Sequence, residues 1–123
     1  MSAAPSPADI AELVRRLGAA LTAPGASVAA VQALAGARPA GVDAIRVLAR
    51  DTAGTPDSAD IQLAAALDAA PLEPLLGTPR TLPPTEAWPH RVLFGDPATD
   101  AWTTVAAIGE GGDVTALTIR REE

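Results

Sequence analysis

The chain has no cysteine, lysine, asparagine or tyrosine, and only one histidine and one phenylalanine in 123 residues. Without cysteine there are no disulfides, no thiolate nucleophile and no Cys-ligated zinc or iron–sulfur site. With one histidine, any metal would fall to carboxylates. Asp51, Asp57, Asp60, Asp96 and Asp100 lack the spacing of a calcium loop, so neither metal nor cofactor is expected. All nine basic residues are arginine and the net charge is −6, which leaves no basic footprint to displace counterions from nucleic acid. No apolar run approaches the roughly 18 residues of a membrane span. The segment Met1-Ser2-Ala3-Ala4-Pro5-Ser6-Pro7 lacks the basic and apolar regions of a secretory signal, so a cytoplasmic protein with no membrane contact is expected.

What is present is alanine. It supplies 29 residues of an apolar fraction of 48%, and a buried alanine methyl removes little area from water. The core must therefore come from Leu, Ile and Val. The skew toward Ala, Arg, Gly and Pro points to a GC-rich, actinobacterial-like genome, an inference from codon usage rather than physics. The length fits a single domain, 1–123, with a flexible tail over 1–8. Acid excess is concentrated late: residues 1–61 hold six acids against five Arg, and 62–123 hold nine against four.

The first helix is the clearest element. Ser6 suits the N-cap and Pro7 the first helical position, and Ile10, Leu13, Val14, Leu17 and Leu21 form one stripe of period 3.6. Pro24-Gly25 stops it. A shorter helix starts at Ser27, places Val28, Val31 and Leu34 on one face and ends at Gly36. Residues 42–50 fit a helix through Val42, Ile45 and Leu48, or a strand through Ile45, Val47 and Ala49; the polar pair Arg46 and Arg50, at i and i+4 on one helix face, tips the reading to helix. Ser58 reads as the cap of a further helix carrying Ile61, Ala64 and Leu67 to Pro71, and Gly77 as the left-handed cap of one more turn. Residues 9–77 are thus expected to be mainly helical. A Pro-rich bridge over 78–89 follows, and then a β meander over 90–121, with strands at Arg91–Phe94, Trp102–Ile108 and Val114–Ile119. The expected fold class is α+β: N-terminal Ala-rich helices packed on a C-terminal three-stranded antiparallel meander.

Several patterns suggest chemistry, and each has a plainer reading. Gly109-Glu110-Gly111-Gly112 looks like a phosphate loop but runs into a strand and carries acids, so it reads as a hairpin turn. Ser27 lacks the flanking pattern of a nucleophile elbow and reads as a cap. His90, with Asp96 or Asp100 near in sequence, has the makings of a general base, because an imidazole titrates near neutrality and a carboxylate fixes its tautomer. Trp88, in the bridge, is an interface candidate, since tryptophan buries a large rigid area and keeps one donor. Trp102, on a strand, reads as core.

The order of helix, Leu76-Gly77-Thr78-Pro79, a bridge with Trp88, and strands carrying Trp102, Val114, Leu117 and Ile119 resembles BamE-like small domains and immunity-type proteins of polymorphic toxin systems. The resemblance covers about residues 58–121. It departs from BamE in having no lipid-anchor cysteine, which puts outer-membrane assembly in doubt, and residues 1–57 match neither pattern. It implies a small adaptor, immunity or antitoxin-like domain.

The reading favoured at this level is a cytoplasmic, acidic protein-binding domain without catalysis. It would mask a basic protein partner with Asp96, Asp100, Glu110 and Asp113, anchored by Trp88. The alternative is a small-molecule binder or cyclase-like enzyme of secondary metabolism, with a sheet curled around an apolar pocket and His90 with Asp96 or Asp100 in it. That alternative needs more strand than three segments. Residues 42–50 and part of the bridge would have to be strands, and strand would have to outweigh helix.

Overall fold

The computed structural model describes residues 6–36, 41–77, 79–83, 86, 90–95, 100–109 and 113–121. Helix α1 (Pro7–Thr22) begins as its sequence dictates: the Ser6 hydroxyl accepts from the Asp9 N–H at 3.5 Å, and Pro7 stands where no intrahelical donor is needed. Its stripe of Ile10, Leu13, Val14, Leu17 and Leu21 is buried, together with Ala11 and Gly18. Arg16 and Glu12 pair at 2.7 Å on the solvent side, where such a pair contributes little. Helix α2 (Val28–Ala35) is capped by Ser27, which accepts from the Ala30 N–H at 3.2 Å. Of its apolar positions Val31 is fully buried, while Leu34 stays exposed.

The remainder is dominated by strands, which outnumber helical residues. They are β1 (Val42–Ala49), β2 (Pro56–Asp68), β3 (Arg80–Thr81), β4 (Arg91–Phe94), β5 (Trp102–Ile108) and β6 (Asp113–Arg121). A 3₁₀ turn at Ala70–Leu72 and the single-turn helix α3 (Glu73–Leu76) connect β2 to β3. All six strands join one sheet in the order β1-β2-β6-β5-β4-β3, and every pairing is antiparallel.

This corrects the expectation of a mainly helical 9–77 and a three-stranded meander. The segment 42–49 is a strand, not a helix. The supposed helix from Ser58 is the long strand β2, paired on both sides, and the bridge contributes β3. The physical reason lies in the pattern Ser58-Ala59-Asp60-Ile61-Gln62-Leu63. It alternates polar and apolar residues, and the apolar members share a face with Ile45 and Val47. Alanine favours helix by only tenths of a kcal/mol per residue, and two flanking strands with a shared apolar face outweigh that. Where three alanines follow, over 64–66, the register with β6 slips between Gln62 and Leu67, and the strand bends. The strands placed from sequence at 91–94 and 102–108 have those bounds, and the third extends to Asp113–Arg121.

Both helices lie on one face of the sheet. On that face the register lines up Val92, Ala106, Leu117, Ile61 and Ile45 in one row and Phe94, Thr104, Ile119, Ala59 and Val47 in the next. Together with the stripe of α1 they make the core. Trp102 packs on α1 at Gly18, where a Cβ would fall within the van der Waals envelope of indole Cδ2 and Cε2, so only glycine lets the ring lie there. Gly77 has φ 104° as glycine permits, but ψ 178° carries it past the left-handed helical cap expected from sequence.

Candidate functional site

The helix-covered face does not close completely. At the end where β4 turns into β5 it leaves a cleft of about 300 Å³ between α1, α3 and the β4–β5 hairpin. Each wall comes from a different part of the chain. Helix α1 supplies Arg15, α3 supplies Leu75 and Leu76, β4 supplies Phe94, and Asp100, Trp102 and Thr104 come from the start of β5 and the residues just before it. Arg15 lies off the apolar stripe of α1 and reaches across to α3, donating from Nη2 to the Leu75 carbonyl at 3.1 Å. That bond fixes one lip of the cleft and leaves the rest of the guanidinium fork for other partners. Asp100, exposed, forms the lip opposite; its Oδ2 lies near Gly95.

The floor carries the polar group of most interest. Thr104 is 1% exposed, lines the cleft, and its hydroxyl has no hydrogen-bond partner. A buried hydroxyl left unpaired costs on the order of 1–3 kcal/mol, so a group that pairs it would bind with that penalty relieved. The cleft thus combines apolar walls (Trp102, Phe94, Leu75, Leu76), one orphan hydroxyl and opposite charges at its rim. That is the usual make-up of a small-molecule site, at the small end of the size range.

The residues proposed from sequence are not gathered here as a set. Trp88, Asp96 and Glu110 lie outside the described residues. His90 stands exposed at the start of β4, where its carbonyl accepts from the Ile108 N–H at 3.0 Å. Asp100 lies beyond the other end of β4, four residues and roughly 13 Å along the strand. The pair His90–Asp100 is therefore not assembled. Asp100 and Asp113 are likewise separated by the seven residues of β5, roughly 23 Å, and so do not share one acidic surface. Asp113 is half-buried and pairs across the sheet with Asp68. Of the proposed site residues that are described, only Asp100 lines the cleft. Trp102, read from sequence as core, serves both the core and the cleft wall. Arg15 and Thr104 were not picked out, because nothing in their local pattern marks them. Their role arises from residues 15, 75, 94 and 104 meeting in space.

Among the described residues no group of three or more His, Asp or Glu is placed to hold a metal ion, and no helix is long and apolar enough to cross a membrane. No protein-family model, no curated protein and no solved structure matches the chain.

Proposed function

We propose that this chain is a small-molecule-binding domain of the cone-like kind, with its ligand in the cleft between α1, α3 and the β4–β5 hairpin. The observation that carries the reading is the unpaired, buried hydroxyl of Thr104, a residue at the floor of a cleft with apolar walls and a charged rim. The strand content supports it as well: 42–49 and part of the Pro-rich bridge are strands, the condition the cone reading required. The ligand has a flat or compact apolar body that lies against Trp102 and Phe94, and a hydrogen-bonding group for Thr104. A second polar group on it meets Arg15 or Asp100 at the rim. The reading is of binding: of the acid–base pairs sought from sequence, His90 does not stand beside Asp100, and Asp96 lies outside the described residues.

The test is a screen of small aromatic and alicyclic compounds against a Trp88→Phe chain, in which Trp102 is the only indole. Hits should quench or shift Trp102 emission, raise the melting temperature, and lose at least about 10-fold in affinity in Thr104→Val, the worth of one hydrogen bond to a buried group. If every hit binds Thr104→Val as well as the parent, the cleft reading is wrong. If instead the full chain captures a basic protein from cytoplasm and Trp88→Ala loses it, the protein-masking reading takes its place.

A further inference from the structure

The face of the sheet turned away from the helices has a different chemistry from the molecule as a whole. Register places Arg80, Leu93, Val105, Thr118, Asp60 and Arg46 in one row across it. Arg91 belongs to the row below and Arg120 to the row above. Four of the nine arginines of an acidic protein therefore stand on this face, with Asp60 among them. In its middle is a depression of about 250 Å³, floored by Val105, Ala107 and Ala116 and walled by Arg91, Arg120 and Asp60.

Two details set this depression apart from a merely solvated charged surface. The Nε of Arg91 is buried and has no hydrogen-bond partner, although the same guanidinium donates from Nη2 to the Pro83 carbonyl at 2.6 Å. The Pro83 bond holds the fork in place and leaves a buried, charged N–H unsatisfied. Arg120 has no ion pair among the described residues, and Asp60, which also lines the depression, accepts from the Thr118 hydroxyl at 2.8 Å. A guanidinium with free N–H groups beside an apolar floor is suited to a planar or tetrahedral oxyanion.

From these observations we propose a second binding site on the open face: it takes the oxyanion group of a small acidic molecule between Arg91 and Arg120, with the ligand's apolar part on Ala107 and Ala116. A small ligand fits better than a polyanion. A nucleic acid would meet the field of the whole molecule, which is net −6, whereas a small oxyanion meets only the local arginines. Asp60 sets a further requirement: it repels a second negative group on its side and favours a hydroxyl or amine there. The site does not depend on the cleft reading, because the two lie on opposite faces of the sheet.

The experiment is an NMR titration of the full chain with succinate and with inorganic phosphate at constant ionic strength. The expected result is saturable shifts confined to the amides of residues 105–107 and 116–120. Arg120→Gln, at an exposed position, should keep the fold and weaken binding about 10-fold. Asp60→Asn, which keeps an acceptor for Thr118, should strengthen it. The proposal is overturned if neither probe saturates, if Arg120→Gln binds as the parent does, or if the shifts centre on Trp102 and Thr104. That last result would move the anion to the cleft, whose own test, Thr104→Val, is separate from this one.

Discussion

The two faces of the sheet come from the same strands, residue by residue in alternation, and they have been given opposite work. The covered face presents Ile45, Ile61, Leu117, Ile119 and Phe94 to the helices, and nearly all of it is lost from solvent. The open face presents mainly small and polar side chains, Ser58, Gln62, Ala107, Ala116 and Thr118, with Leu93 and Val105 among them and four arginines on the same face. In a molecule with 29 alanines, the fully buried aliphatic residues of the strands, Ile61, Val114, Leu117 and Ile119, all belong to the core on the covered face. The difference teaches where stability comes from here: a few Leu, Ile and Val positions fasten the helices to the sheet, which leaves the other face free to carry charge. On β6 the contrast is sharpest. Leu117 is 1% exposed and sits at the centre of the core, while its neighbour Thr118 points the other way. Leu117→Ala should cost about 2–5 kcal/mol in chemical denaturation, the usual range for a large-to-small change in a core. Thr118→Ala, which removes only the bond to Asp60, should cost about 1 kcal/mol. Equal costs would mean that the open face contributes to stability as much as the core does.

A second way to break the comparison is to press on the contact where the covered face meets α1 most closely. Gly18→Ala puts a methyl group into the Trp102 indole, and the ring has to leave its place. Overpacking of this kind should destabilise by about 1–3 kcal/mol and shift Trp102 emission toward that of an exposed indole. The same substitution in a Trp102→Ala chain should cost far less. A double-mutant cycle measures the coupling directly, and a coupling near zero would show that the helix and the strand are fastened elsewhere.

How much of this was legible in the sequence follows from how local each feature is. Helix α1 was, down to its cap and its five buried stripe residues, because the 3.6 period and Ser6-Pro7 are local signals. Strands β4 and β5 were, because β-branched and aromatic residues stand between Gly-rich turns. Strands β1 and β2 were not. Alanine and an i, i+4 arginine pair suggested helix, while pairing with partners far away in the chain decided for strand. The alternation from Ser58 to Leu63 was there to be read and was outweighed by alanine content. The cleft could not be read at all: Arg15 and Thr104 are unremarkable until α3 and the β4–β5 hairpin bring them together. The arginines of the open face were hidden by an average, since a net charge of −6 gives no sign that register will place Arg46, Arg80, Arg91 and Arg120 on one face.

Adjacent residues on β5 sharpen the comparison further. Thr103 and Thr104 are both 1% exposed and point to opposite faces, and only the Thr104 hydroxyl is unpaired. Thr104→Val keeps the shape and removes the orphan oxygen, so it should raise stability by about 1 kcal/mol in the absence of ligand. Thr103→Val should lower it by a similar amount. If Thr104→Val destabilises instead, the hydroxyl has a partner and the cleft has lost its main claim to a ligand.

The smallest expected effect concerns the turn that ties both faces together. Between β1 and β2, Asp51 Oδ1 accepts from the Thr55 and Ala53 N–H groups at 3.1 Å each. From the same turn the Gly54 carbonyl accepts from Val28 N–H at 2.9 Å, fastening the start of α2 to the sheet edge. The Thr55 backbone bond, followed by its hydroxyl, holds the Asp51 carboxyl below its ordinary pKa, because these donors favour the charged form. A carboxyl depressed in the folded state binds its proton less readily there than in the unfolded chain. Its stabilisation is therefore fully present above the unfolded value, and is lost as pH falls through the folded one. At neutral pH, Asp51→Asn should be slightly less stable than the parent, and the gap should close only below the ordinary aspartate range. Following the Thr55 and Ala53 amide shifts through an acid titration locates the midpoint. A midpoint at or above the ordinary aspartate value would mean that these donors do not hold the charge, and that the turn keeps its shape through its backbone bonds, Arg50 N–H to the Thr55 carbonyl and Val28 N–H to the Gly54 carbonyl.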